Sequence, residues 1–208
     1  MNHVLEVGIG SGVVLVSALQ LGAVQATGID LEQAAIDATK ALLVREGLSA
    51  KAQLACGDMW STDAVQGQKY DFVISNLPQF ACERVPEDGH LPSWSAGGLD
   101  GRRVVDAFLT GLPEHLAQNG LAVITHNIFL DLIKTQVLLS RSGLLARVAH
   151  SVSIPLSLEK SQCIHPDVLK CDNGRGVRRV GDCWFVDFDV LEITWESPAP
   201  LSYQHLPT

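Results

Sequence analysis

Four short stretches of this chain combine residue types and spacings able to do chemistry. Glu6-Val7-Gly8-Ile9-Gly10-Ser11-Gly12 stands where a short apolar run, Val4 to Val7, gives way to a helical pattern. Glycines at such a turn allow a tight bend and close backbone approach, and the helix start offers N–H groups to a negatively charged ligand atom. The sixth position from Gly8 is Val13, so the spacing is Gly-x-Gly-x-Gly and not the Gly-x-Gly-x-x-Gly of dinucleotide sites. Asp30 closes the next apolar run, where an acid can accept from both hydroxyls of a ribose. In Gly57-Asp58-Met59-Trp60, Asp58 can accept from a ring amino group while Met59 or Trp60 packs on the ring. Ser75-Asn76-Leu77-Pro78-Gln79-Phe80 follows the run Tyr70 to Ser75 at its carboxyl end, where open α/β sheets bind ligands.

The elements that must position these residues alternate between apolar runs and helical patterns, the signature of βαβ units and a parallel sheet. Val4 to Val7, Val24 to Ile29, Ala52 to Ala55, Tyr70 to Ser75 and Leu121 to Thr125 read as strands. Gly12 to Leu21, Leu31 to Glu46 and Arg102 to Leu116 read as helices, and Asn127 reads as the cap of a helix running to Ser142. A loop from Asn76 to about Gly98 is long enough to imply function or disorder. Leu145 to Ile154 and Trp184 to Thr194 read as two further strands with no helix of convincing length between them, an antiparallel edge on a parallel sheet. The expected organisation is one domain over residues 1–196, with a core at 1–144, C-terminal strands and an inserted loop at 145–196, and a frayed tail at 197–208.

Composition sets the outer limits. A chain of 208 residues with 47% hydrophobic and 18% charged residues suits one globular domain. It has no apolar run long enough to span a membrane and no signal-peptide start. Five cysteines without a Cys-x-x-Cys pair argue for reduced thiols, hence a cytoplasmic location. The net charge of −8 weighs against general nucleic-acid binding and towards a small molecule or protein partner.

The Asn76–Phe80 stretch, together with Gly97-Gly98-Leu99-Asp100-Gly101, resembles the class I methyltransferases that carry an Asn-Pro-Pro-Tyr-type motif. Within that group it is most similar to the glutamine amide-nitrogen methyltransferases that act on release factors or a ribosomal protein. The resemblance covers about Val4 to Thr125, with a variant Asn-Leu-Pro-Gln motif. It implies an α/β Rossmann-like sheet of seven strands, mostly parallel, with an antiparallel C-terminal edge. It implies S-adenosylmethionine as cofactor, its methionine carboxylate taking the place of a pyrophosphate at the glycine loop. Glu6, Gly8, Gly10, Gly12, Asp30, Asp58, Met59 and Asn76 would hold it, with no metal. Asn76, Leu77 and Pro78 form the implied catalytic set, the Asn76 side chain and the Leu77 backbone carbonyl holding the acceptor nitrogen. Gln79 stands where an aromatic residue would cap a planar acceptor, and Phe80, the next residue, could take over that role; both are expected at the substrate.

The activity so implied is methylation of nitrogen on a protein glutamine or related amide. Leu77, Gln79 and the segment from Glu159 to Asp182 favour a small-molecule N-, S- or O-methyltransferase instead. The acidic charge stands against a nucleic-acid amino methyltransferase, and the presence of Asn76 against a non-catalytic cofactor-binding scaffold. Only three residues precede Val4 where such enzymes place a helical region, which leaves a face for a partner or further chain to cover. Among weaker signals, Arg175, Arg178 and Arg179 form a basic stretch serving as solvated loop or contact surface, and His126 reads as a cap-region histidine or a substrate contact. Trp94 reads as a lid or a loop anchor. Cys163, His165, Cys171 and Cys183 match no common zinc spacing.

Overall fold

Strand alternation decides which way each β residue faces, and here it splits one sheet between two cores. The computed structural model describes residues 2–82 and 95–196. Five strands are parallel: β1 (His3–Val7), β2 (Gln25–Asp30), β3 (Ala52–Cys56), β4 (Tyr70–Ser75) and β5 (Leu116–Asn127), in the order β3-β2-β1-β4-β5. Val4 of β1 packs with Leu15 and Leu19 of α1 (Val13–Gln20) and Leu43 of α2 (Gln33–Arg45) on one face. Leu5 and Val7 point the other way, into a cluster with Val105, Phe108 and Leu112 of α3 (Arg103–His115) and Leu139 of α4 (Leu132–Ser140). Burying a side chain such as Phe108, fully shielded here, contributes about 2 kcal/mol.

Beyond β5 the sheet turns antiparallel. β8 (Cys183–Trp195) pairs with β5, and β6 (Leu144–Leu156) pairs with β8 to form the edge. The expected α/β Rossmann-like sheet with an antiparallel C-terminal edge is therefore observed, with eight strands instead of seven. The eighth is β7 (Val177–Val180), paired with the start of β8. The segment expected as an inserted loop is built as two short helices and that strand. α5 (Leu158–Cys163) is capped by Ser157, whose hydroxyl accepts from Lys160 N. α6 (Pro166–Asp172) has proline in its first turn and ends on Asn173 in the left-handed region. Phe80, Ala81, Leu156, Ile164, Val177 and Val186 make a third apolar cluster, joining this segment to the loop after β4.

The helix before β6 starts later than expected. β5 runs on to Asn127, a 3-10 turn follows at Ile128–Leu130, and the cap is Asp131, whose carboxylate accepts from Ile133 N and Lys134 N. Among the described residues no helix is long and apolar enough to cross a membrane. The five cysteines are all unbonded.

Candidate functional site

The register of the parallel strands brings the four stretches to one edge of the sheet. Val7 stands opposite Ile29 and Ser75, Asp30 opposite Cys56, and Ser75 opposite Ile124. The glycine loop, Asp30, Gly57-Asp58, Asn76 and Thr125 therefore leave the sheet side by side, each strand roughly 5 Å from the next. This is the carboxyl edge, where an open α/β sheet places its ligand.

The glycine loop is held from both sides. Gly8, Gly10 and Gly12 all have positive φ, and a Cβ on Gly12 would lie 2.5 Å from the Thr39 hydroxyl of α2. Glycine at position 12 is thus demanded twice, by conformation and by the approach of α2. The Gly10 N–H donates to Asp30 Oδ2 at 2.9 Å, and Asp30 Oδ1 accepts from Glu32 N at 2.9 Å. Gly8 and Ile9 donate to the Ile29 carbonyl and Gly12 to the Ile9 carbonyl. With those N–H groups engaged within the fold, and the Leu15 N–H turned to Glu6, the donors left for an anion are those of Val13 and Val14 in the first turn of α1. Asp30 fastens the loop and keeps lone pairs for a hydroxyl-bearing ligand.

Glu6 is buried near the end of β1, 5% exposed, and its Oε2 has no hydrogen-bond partner. Burial pushes its carboxyl up to about 8; the Leu15 N–H works against this and the Asp30 charge adds to it. An orphaned buried oxygen at the glycine loop suits a ligand that brings a positive group. Asp58 is exposed beside Met59, which has φ of 30°. Trp60 does not reach this edge. Its ring stacks on His115 at 4.5 Å and 7°, and its Nε1 donates to the Phe108 carbonyl, in space that Gly111 leaves open. Of the two expected ring-packing residues only Met59 remains.

Asn76 is exposed at the end of β4, and its Oδ1 accepts from Thr125 Oγ1 at 2.5 Å. Ser75 Oγ donates to the Val7 carbonyl at 2.7 Å, tying the ends of β4 and β1. Leu77 is buried in the main core and Pro78 is half-buried. Gln79, expected to face the substrate, is 5% exposed and bonded inward. Its Nε2 donates to Thr125 O and Oγ1 at 2.9 and 3.0 Å, and its Oε1 accepts from Asn127 N at 2.8 Å. Phe80, expected to cap the acceptor, packs into the third cluster near Phe129, with Lys160 Nζ 5.6 Å from its ring centroid. The Gly97–Gly101 stretch lies against this motif: Gly97 N donates to the Phe80 carbonyl, and a side chain on Gly101 would strike the Gln79 carbonyl.

Other expected contacts fall elsewhere. His126 is fully buried in β5, its Nε2 bonded to Thr135 Oγ1 at 2.8 Å, so it is a core histidine and not a substrate contact. Burial, then the neighbouring Arg102 charge, lowers it to about 4. Arg175 donates to backbone carbonyls, Arg178 pairs with Asp187, and Arg179 pairs with Asp182, so the basic stretch is internally bonded. Trp94 and the 197–208 tail lie outside the described residues, as does most of the long loop. Sequence reading missed Thr125 and Arg102. Arg102 is buried, pairs with Asp106 at 2.6 Å and donates to the Leu130 carbonyl and Thr135, fixing the turn before α4. Gly101-Arg102, at the end of the glycine-rich stretch, was the one visible signal.

Residues 1–81 match the family model of ribosomal protein L11 methyltransferase (PrmA). A ribosomal protein L11 methyltransferase of Shewanella woodyi is 38% identical over 76 residues, covering 36% of this chain and 25% of that protein. A Methanocaldococcus jannaschii protein, provisionally assigned as a protein N5-glutamine methyltransferase, is 27% identical over 128 residues, covering 59% of this chain and 60% of its own length. The chain thus spans between a quarter and three fifths of the length of these curated relatives. The crystal structure of a ribosomal protein L11 methylase from Lactobacillus delbrueckii subsp. bulgaricus superposes with a TM-score of 0.56 at 16% identity, covering 94% of this chain and 70% of that one. Residues 1–81 are thus similar in sequence to the ribosomal protein L11 methyltransferases, and the whole described chain shares the Rossmann-like fold of the solved methyltransferases.

Proposed function

We propose that this chain is an S-adenosylmethionine-dependent methyltransferase domain that methylates nitrogen on a protein glutamine or a related amide. The observation that supports the reading is that the glycine loop, Asp30 and Asn76 stand at the ends of neighbouring strands on one sheet edge. The names of the relatives, which include ribosomal protein L11 and N5-glutamine methyltransferases, support a protein acceptor.

The residues at the edge fit the cofactor group by group. The remaining lone pairs of Asp30 suit two ribose hydroxyls, and exposed Asp58 suits a ring amino group with Met59 against the ring. The first turn of α1 suits a carboxylate, and the unpartnered Glu6 Oε2 suits an ammonium. When bound, S-adenosylmethionine supplies a methyl group on a positively charged sulfur. Asn76 and the Leu77 carbonyl accept the N–H bonds of the acceptor, which holds its plane and turns the nitrogen lone pair towards the incoming carbon. Asparagine cannot remove a proton at ordinary pH, so its contribution is orientation, and positioning supplies most of the rate for a donor already activated. The buried Leu77 side chain fixes the backbone that carries this carbonyl.

Calorimetric titration with S-adenosylmethionine tests the cofactor seat. Binding to the wild-type chain, with at least ~30-fold weaker binding by Asp30→Ala, is expected, since the substitution removes both ribose contacts and the Gly10 tether. Equal affinity in the two proteins would contradict the assignment.

A further inference from the structure

The orientation of Asn76 follows from a backbone amide two side chains away. The Asn127 N–H can only donate, and its partner in the Gln79 side chain at 2.8 Å is therefore the oxygen, Oε1. The opposite end of that amide is then Nε2, a donor only, lying 2.9 Å from the Thr125 carbonyl and 3.0 Å from Thr125 Oγ1. With its oxygen accepting from Gln79, the Thr125 hydroxyl has one proton to place, and the Asn76 side chain lies 2.5 Å away. The structure has that proton donated to Asn76 Oδ1. One lone pair of Oδ1 and both protons of Nδ2 remain for the open side. Gln79 and Asn127 are buried and Thr125 half-buried, so solvent competes little for the inner links.

We propose that Gln79 and Thr125 are positioning residues that set the amide polarity of Asn76, in a hydrogen-bond relay starting at the Asn127 N–H. The inference rests on Asn76 holding the acceptor. It also sharpens the acceptor class. Asn76 is fixed so that an acceptor atom and a donor group stand next to each other, and the complement is a group carrying both N–H and C=O, an amide. A free amine has an N–H for Oδ1 but no oxygen for Nδ2. The chain polarises as it runs, each donated bond strengthening the next, so loss of an inner link is felt at its outer end.

Gln79→Glu is the decisive variant, because it keeps the shape and reverses the chemistry. One carboxylate oxygen still accepts from Asn127 N–H, but the other cannot donate, and Thr125 turns its proton towards it and away from Asn76. Raising the pH through the titration of the new carboxyl should deepen the effect, since the protonated form can still donate. Side-chain amide resonances of Asn76 in 15N-labelled full chain read the orientation without any acceptor. They are expected to move in Gln79→Glu and Thr125→Val and to return to the wild-type position in Thr125→Ser. Unmoved Asn76 resonances in Gln79→Glu would overturn the relay, whether or not Thr125→Val folds. In a second arm, labelled S-adenosylmethionine and a glutamine-bearing peptide give initial rates. Gln79→Glu and Thr125→Val are expected to lower kcat by ~10-fold or more, with KM and cofactor affinity within ~3-fold, and Thr125→Ser to keep the wild-type rate. Unchanged kcat in Gln79→Glu would overturn the relay. Absence of transfer by the wild type would overturn the acceptor assignment instead, leaving the resonances to judge the relay.

Discussion

The parallel half of the sheet and its antiparallel extension are stabilised in different ways. In the parallel half, β1, β2 and β4 are covered by helices on both faces and end together at a polar edge. In the extension, β6 is exposed along most of its length. The extension is held by paired strands, by the third apolar cluster and by single polar ties. One tie is Asp172, which is buried and accepts from Gly176 N and Val177 N where β7 begins. The segment similar to the L11 methyltransferase family carries the proposed cofactor seat; the extension instead packs on the loop expected to hold the acceptor.

Substitutions can break this division. The largest effect is expected at Gly12→Ala, where a Cβ would meet Thr39 in a left-handed backbone. Strain and overpacking together should destabilise the chain by roughly 3 kcal/mol and weaken cofactor binding, as chemical denaturation and calorimetry would show. Asn76→Ala should lower turnover by ~100-fold while leaving cofactor affinity within ~3-fold, measured by methyl incorporation. Normal turnover would remove Asn76 from the mechanism. Asp172→Ala should cost about 1–3 kcal/mol, felt as faster amide exchange confined to α6 and β7, with the cofactor seat unaffected. Loss of cofactor binding in that variant would merge the two regions.

The smallest effect concerns pH. A carboxyl raised to about 8 in the fold keeps its proton where the unfolded chain has lost it, so Glu6 stabilises the ligand-free chain at low pH and ceases to as pH rises towards 8. His126, lowered to about 4, acts in the opposite sense, stabilising above its unfolded value near 6.5 and losing that contribution as pH falls. The two slopes oppose each other below 6.5, and Glu6 acts without this opposition between about 6.5 and 8. Glu6→Gln should flatten the stability profile in that upper window, and an unchanged slope in thermal melts would show that Glu6 is ionised in the ligand-free fold.

Legibility in the sequence follows the same division. Tyr70 to Ser75 was readable as a strand, and β1 and β2 nearly so, because burial on both faces leaves few charged residues within them. α5 and α6 were not, because six and seven residues give too little periodicity; their caps, Ser157, Pro166 and Asn173-Gly174, were the available signal. At the site, Asp30 and Asn76 were legible since their position at strand ends is local. Gln79 was not. Its residue type suggested a substrate contact, but its partners lie 46 and 48 residues along the chain and turn it inward. Trp60 was misjudged likewise, since only the packing of α3 shows that Gly111 makes room for it.

The most direct test of the central claim is to incubate the purified chain with S-adenosylmethionine labelled on its methyl group and a cell extract, and to map the label by mass spectrometry. Label is expected on a glutamine side-chain nitrogen of a protein, lost with Asp30→Ala and strongly reduced with Asn76→Ala. Label confined to small molecules or nucleic acid, or label that persists in Asp30→Ala, would contradict the claim.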